Sequence, residues 1–147
     1  MGEGVSWLDE VHAHVKSTYP EEGCGVVFAK AGVRRVVAMK NVYDKYAARS
    51  PATYPRTNRT AYLFDPLAFA NLLEAAEAAG ETLELIFHSH CDVGSYFSHE
   101  DSAMAAPEGQ PLYPKTSYLV VAVDKGAVTV SKVFAWDGVK FVEKPSP

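Results

Sequence analysis

His88 and His90 stand two residues apart in the stretch HSHCDVGSYFSHED, residues 88–101, and Ser98 and Asp101 follow after a seven-residue interval. Imidazole nitrogens and carboxylate oxygens are common ligands of zinc and similar divalent ions. Side chains alternate faces along a strand, so Ile86, His88 and His90 are expected on one face, with Phe87 and Ser89 on the other. Two histidines so spaced lie about 6.6–7 Å apart along the backbone and can aim at one ion. Asp101 can join them as an oxygen ligand if the chain folds back through residues 91–97. Two histidines, one carboxylate and a position left for water make a catalytic zinc arrangement, whereas structural sites are closed. A plainer reading is local. Ser-x-x-acid before a helix is a variant capping box, with Ser98 as the cap and Asp101 in the first turn. The two readings are compatible, because a capped helix start holds its first-turn carboxylate rigidly.

The pattern around this stretch predicts the elements that must present it. Residues 82–90 (TLELIFHSH) predict a strand, 91–97 a loop and 98–106 a short helix. Asp65-Pro66 predicts a helix start, because Asp65 can cap and Pro66 suits the first turn. Phe69, Leu72, Leu73 and Ala76 give that helix an apolar stripe, and Gly80 closes it. Val5, Leu8, Val11 and Val15 predict a helix over 5–18, ended at Tyr19-Pro20. Strands are expected at 24–29 and 33–42 around a turn at 30–32, and at 117–123 and 127–135 around Lys125-Gly126. An edge strand is expected at 139–142 and a short one at 61–64 (AYLF). Residues 44–60 read as a long loop and 107–115 as irregular. Long helices mixed with hairpin-linked strands predict an α+β (mixed α/β) fold.

The chain has 147 residues, the size of one domain over 1–147. A net charge of −4 argues against a general nucleic-acid or membrane-surface binder, so neither partner is expected. Cys24 and Cys91 form no spaced framework, which points to a reducing, cytoplasmic setting. No apolar run approaches 18 residues and no basic-plus-apolar leader is visible. The start MGEGVS formally fits an N-myristoylation pattern; an ordinary terminus is the expectation.

At these residues the chain resembles the JAMM (MPN+, Mov34/PAD-1) metalloproteases, whose motif is His-x-His, seven residues, then Ser-x-x-Asp. Here that reads His88-Ser89-His90, CDVGSYF, Ser98-His99-Glu100-Asp101. The segment YPEEGCGVV, residues 19–27, is similar to the family's upstream Pro-x-Glu-x-Cys-Gly segment and aligns its glutamate with Glu22. Asn41, Tyr62, Asp65-Pro66 and the C-terminal hairpin also look similar, so the resemblance spans most of the chain. It implies an MPN-like curved mixed β-sheet flanked by helices. It implies that His88, His90 and Asp101 hold one catalytic Zn²⁺ with a bound water. Glu22 would accept the water's proton and pass it to the leaving amine, and Ser98 would stabilise the oxyanion. The implied substrate bond is a peptide or isopeptide bond after the Gly-Gly tail of a ubiquitin-like or sulfur-carrier protein.

Glu21 competes with Glu22 as the base, but adjacent residues on an extended chain point oppositely, so only one should face the metal. The family has proline after the second histidine, where this chain has Cys91. A thiolate there could compete for zinc, respond to oxidation, or have no role. His99 is not a motif ligand and reads as a surface first-turn residue. Residues 44–60 carry Lys45, Arg49, Arg56 and Arg59 with Tyr46 and Tyr54 between them, either a solvated loop or a flap that docks substrate. The alternative to an enzyme is a non-catalytic interaction module of the same fold. A zinc deaminase is disfavoured, since its His-x-Glu and Pro-Cys-x-x-Cys signature is absent.

Overall fold

Six consecutive residues, Leu85 to His90, are buried, and a strand covered on both faces belongs inside a sheet. The computed structural model, which describes residues 6–145, places it there. In chain order the elements are α1 (Trp7–Thr18), β1 (Cys24–Lys30), β2 (Val33–Met39), α2 (Tyr43–Arg49), α3 (Pro66–Ala78), β3 (Thr82–Cys91), α4 (His99–Ala105), β4 (Ser117–Asp124), β5 (Ala127–Trp136) and β6 (Phe141–Lys144). A 3₁₀ turn, Pro107–Gly109, follows α4. The sheet has six strands in the order β2-β1-β3-β4-β5-β6. Strands β3 and β4 run parallel and every other neighbouring pair is antiparallel, which makes the fold α+β with a mixed sheet flanked by helices.

That single parallel pair matters for the site. Parallel neighbours cannot be joined by a tight hairpin and need a crossover. The crossover from β3 to β4 contains α4, so it returns the chain over the sheet just past the end of β3.

Alternation along β3 divides the core. Leu85 and Phe87 pack with Val11 and Val15 of α1, and with Leu119, Val121 and Val123 of β4. Ile86 packs on the other face with Ala76 of α3, Ala105 of α4 and Tyr118. His88 and His90 follow Ile86 onto this second face. Gly25 of β1 serves the first face. A Cβ there would lie 2.5 Å from the Phe87 ring and 2.4 Å from the Val37 carbonyl, so only glycine fits.

Helix starts follow their caps. Ser6 accepts from the Asp9 N–H at 3.1 Å and Asp65 from the Ala68 N–H at 2.9 Å. The expected first helix therefore stands, with Val5 and the rest of residues 1–5, including most of the myristoylation pattern, outside the described residues.

Four expectations fail locally. Residues 43–49 form helix α2 where a loop was expected. Strand β2 ends at Met39 rather than at 42. Residues 61–64 form no strand, because the Asn41 side chain takes the place of a ladder. Its Nδ2 donates to the Ala61 carbonyl at 3.0 Å, and its Oδ1 accepts from the Leu63 N–H at 3.2 Å. The last strand lies at Phe141–Lys144, two residues beyond the expected 139–142. Among the described residues no helix is long and apolar enough to cross a membrane.

Candidate metal centre

His88 and His90 leave the sheet on one face at the carboxyl end of β3, fully and almost fully buried. Asp101 arrives from above, in the first turn of α4. A complete capping box holds that turn: Ser98 Oγ accepts from the Asp101 N–H at 2.9 Å, and Asp101 Oδ2 accepts from the Ser98 N–H at 3.0 Å. His88 Nε2, His90 Nε2 and Asp101 Oδ2 then form a triangle with every edge 3.2 Å. Ligands bound to zinc at 2.0–2.1 Å with tetrahedral angles stand about 3.3–3.4 Å apart. The observed triangle has that size.

The donor chemistry fits as well. His90 Nδ1 lies 3.0 Å from the Gly94 carbonyl, which can only accept, so Nδ1 carries a proton and Nε2 is the atom turned to the centre of the triangle. Nε2 stands 3.2 Å from an Asp101 oxygen, an arrangement that a cation at the centre would satisfy. Gly94 can turn its carbonyl back because its φ is +86°. Among the described residues these three form the group of side chains able to share a metal ion.

Tyr62 supports His88 from behind. Its ring stacks on the imidazole with centroids 4.4 Å apart and planes 21° apart. Tyr96 meets His90 edge-on at 4.8 Å. Burial opposes ionisation of Asp101, but the His88 charge, the hydrogen bonds of both histidines and the Ser98 N–H outweigh it, holding the carboxyl well below its usual range.

Glu22 and Ser98 line the same cavity of about 200 Å³ as His90 and Asp101. Glu22 is buried and its neighbour Glu21 is exposed. Burial, and then the Asp101 charge, push the Glu22 carboxyl up to about 9, against a smaller opposing effect of Arg56. Its backbone is pinned on both sides: the Glu22 N–H donates to the Asn58 carbonyl at 2.7 Å, and Asn41 Nδ2 donates to the Glu22 carbonyl at 3.0 Å. Ser98 Oγ accepts from Asp101 and keeps its own O–H free to donate.

Cys91 also lines the cavity. Burial first, then the Glu22 and Asp92 charges, push its thiol up to about 11, so it is a thiol rather than a thiolate at neutral pH. His99 is exposed and lines a different cavity. Sequence reasoning passed over Gly94, Tyr96 and the pairing of Arg56 with Glu100 at 2.7 Å. The glycine at 94 marked only a loop, and nothing local links residues 56 and 100.

Comparison with known proteins bears on the family and the fold. A relative from Thermus thermophilus, described as a probable TtuB-protein conjugate cleaving protease, is 39% identical over 83 residues. That match covers 56% of this chain and 48% of the relative, so the chain spans about half the length of the curated relative it matches. A solution structure of a Salinibacter ruber protein is 27% identical with a TM-score of 0.58, covering 94% of this chain and 84% of that one. A solution structure of a Desulfitobacterium hafniense protein shares the fold at 21% identity, with a TM-score of 0.63 and coverage of 93% and 84%. The family described as prokaryotic homologs of the JAB domain matches residues 4–137, and the chain belongs to that family.

Proposed function

We propose that this chain is a zinc-dependent metallopeptidase of the JAMM isopeptidase type. It would hydrolyse a peptide or isopeptide bond after the C-terminal Gly-Gly tail of a ubiquitin-like or sulfur-carrier protein. The observation that carries the reading is the 3.2 Å triangle of His88, His90 and Asp101 opening into a cavity that Glu22 and Ser98 also line.

A zinc ion held by the three ligands would bring the acidity of a water near pH 7 and polarise the scissile carbonyl. Glu22 then takes the proton of the attacking water on its carboxylate and passes it to the leaving amine, which leaves poorly without one. Its buried setting favours holding that proton, and a cation in the cavity would bring its carboxyl down from about 9 toward the working range. The Ser98 O–H donates to the carbonyl oxygen as negative charge grows there, a contact worth about 2.7–4 kcal/mol of barrier. Tyr62, Tyr96 and Met104 also line the cavity.

The Thermus relative, named for cleaving conjugates, supports a conjugate as the substrate class. Both cysteines are free, which suits a cytoplasmic protein. We take residues 1–147 as a single JAMM/MPN+ domain.

The test is hydrolysis of fusions carrying a Gly-Gly tail, with zinc, with a chelator, and with Glu22→Ala. The reading expects cleavage by the zinc-loaded parent alone. Equal cleavage by Glu22→Ala would refute the assigned mechanism.

A further inference from the structure

The cavity that holds Glu22 is also lined by Arg56 and Arg59, from the loop between α2 and α3. Arg56 is engaged: its guanidinium donates to the Thr60 carbonyl at 2.8 Å and pairs with Glu100 at 2.7 Å. Arg59 is not. Its backbone N–H reaches Thr57 Oγ1 at 3.2 Å, but its guanidinium makes no hydrogen bond or ion pair with any described residue.

The loop that carries Arg59 is fixed relative to Glu22. Asn58 and Asp44 exchange two hydrogen bonds of 2.8 Å, each backbone N–H donating to the other's side-chain oxygen. Asn58 Nδ2 donates to the Asn41 carbonyl at 3.3 Å, and the Asn58 carbonyl receives the Glu22 N–H. Arg59 is therefore one residue from the group that anchors Glu22. If Glu22 hands its proton to the leaving amine, that nitrogen lies within hydrogen-bond reach of the Glu22 carboxyl. A substituent close to that nitrogen shares the cavity that Arg59 lines.

We propose that Arg59, beside the Arg56–Glu100 pair, receives a carboxylate on the leaving side of the scissile bond and so selects substrates whose leaving amine carries an acid close by. The inference rests on the peptidase reading. A guanidinium presents a planar set of donors that matches a carboxylate, and it is always charged. The acid can be the main-chain carboxylate of a terminal residue or the side chain of an aspartate after the bond. A lysine ε-amine in an isopeptide bond is four methylenes from its backbone and offers neither. Arg59 thereby favours α-linked over ε-linked leaving groups.

The test is equilibrium binding to the full Glu22→Gln chain supplied with equimolar zinc, so that peptides are held without turnover. Three peptides are titrated by NMR, ending in Gly-Gly-Ala with a free carboxylate, Gly-Gly-Ala carboxamide, and Gly-Gly-Asp carboxamide. At least one acid-bearing peptide is expected to bind about tenfold more tightly than the Ala carboxamide, and Arg59→Gln to reduce that ratio to about twofold or less. Tighter binding of the first assigns the main-chain acid, and of the third the side-chain acid. Lys16→Gln on α1, which removes one charge without touching the cavity, should leave the ratio unchanged. The proposal is overturned if neither acid-bearing peptide binds better than the Ala carboxamide, absence of binding included. It is also overturned if the preference survives Arg59→Gln or falls equally in Lys16→Gln. Failure of the peptidase reading would show instead as absent hydrolysis by the zinc-loaded parent, leaving these binding ratios readable.

Discussion

Tyr62 lies flat on the imidazole of His88, with ring centroids 4.4 Å apart. The contact gains weight from what His88 lacks. His90 is oriented by the Gly94 carbonyl, but His88 Nδ1 is buried with no hydrogen-bond partner among the described residues. Packing must therefore set the His88 ring plane. Tyr62→Leu should weaken zinc binding about tenfold, the scale seen when support for a metal-bound histidine is removed. Tyr62→Phe keeps the ring face and should bind zinc as the parent does. Competitive titration against a chromophoric chelator reads both, and equal affinities in all three proteins would remove Tyr62 from the account.

Ser98 has two assignments that mutation can separate. As the cap of α4 it accepts from the Asp101 N–H, and losing a cap costs about 1 kcal/mol of stability. As an oxyanion donor it should be worth a factor of about 10²–10³ in kcat. Ser98→Ala is expected to show both losses, by urea unfolding and by steady-state hydrolysis. A variant that unfolds more easily but turns over at the parent rate would leave Ser98 a cap and nothing more.

Glu22 makes the metal-free protein's stability depend on pH in a defined direction. Its carboxyl lies near 9 in the folded chain against an ordinary value of 4.5. Between those values the folded chain holds a proton that the unfolded chain has released. The contribution of this group is complete below the unfolded value and is lost as pH rises through the folded one. Glu22→Gln removes the titration, so its stability advantage over the parent should grow from about pH 5 to about pH 9. Urea unfolding with chelator present, repeated across that range, measures the difference. A difference that stays flat would mean that Glu22 is not held protonated by its burial.

Much of this arrangement was legible in the sequence because it is built from local rules. Alternation put His88 and His90 on the face of Ile86, and the capping box announced the turn that carries Ser98 and Asp101. Helix α2 was hidden because its pattern is weak. It has seven residues, one buried side chain in Tyr43 and no side-chain cap at Val42. Residues 61–64 looked like a strand because AYLF is apolar. Its partner is an amide side chain, Asn41, twenty residues away from Ala61, and no periodicity reports such a contact. The same holds for the Arg56–Glu100 pair, which joins the loop before α3 to the first turn of α4 beside the cavity. Long-range side-chain contacts of this kind are set by the fold and leave no spacing to read.

The central claim is that His88, His90 and Asp101 together hold one zinc ion. Metal analysis of the purified chain, beside His88→Ala and Asp101→Asn prepared in the same way, tests it most directly. About one zinc per parent chain and little in either variant is the predicted result. Equal zinc in the variants, or a parent that takes up none when zinc is supplied, would contradict it.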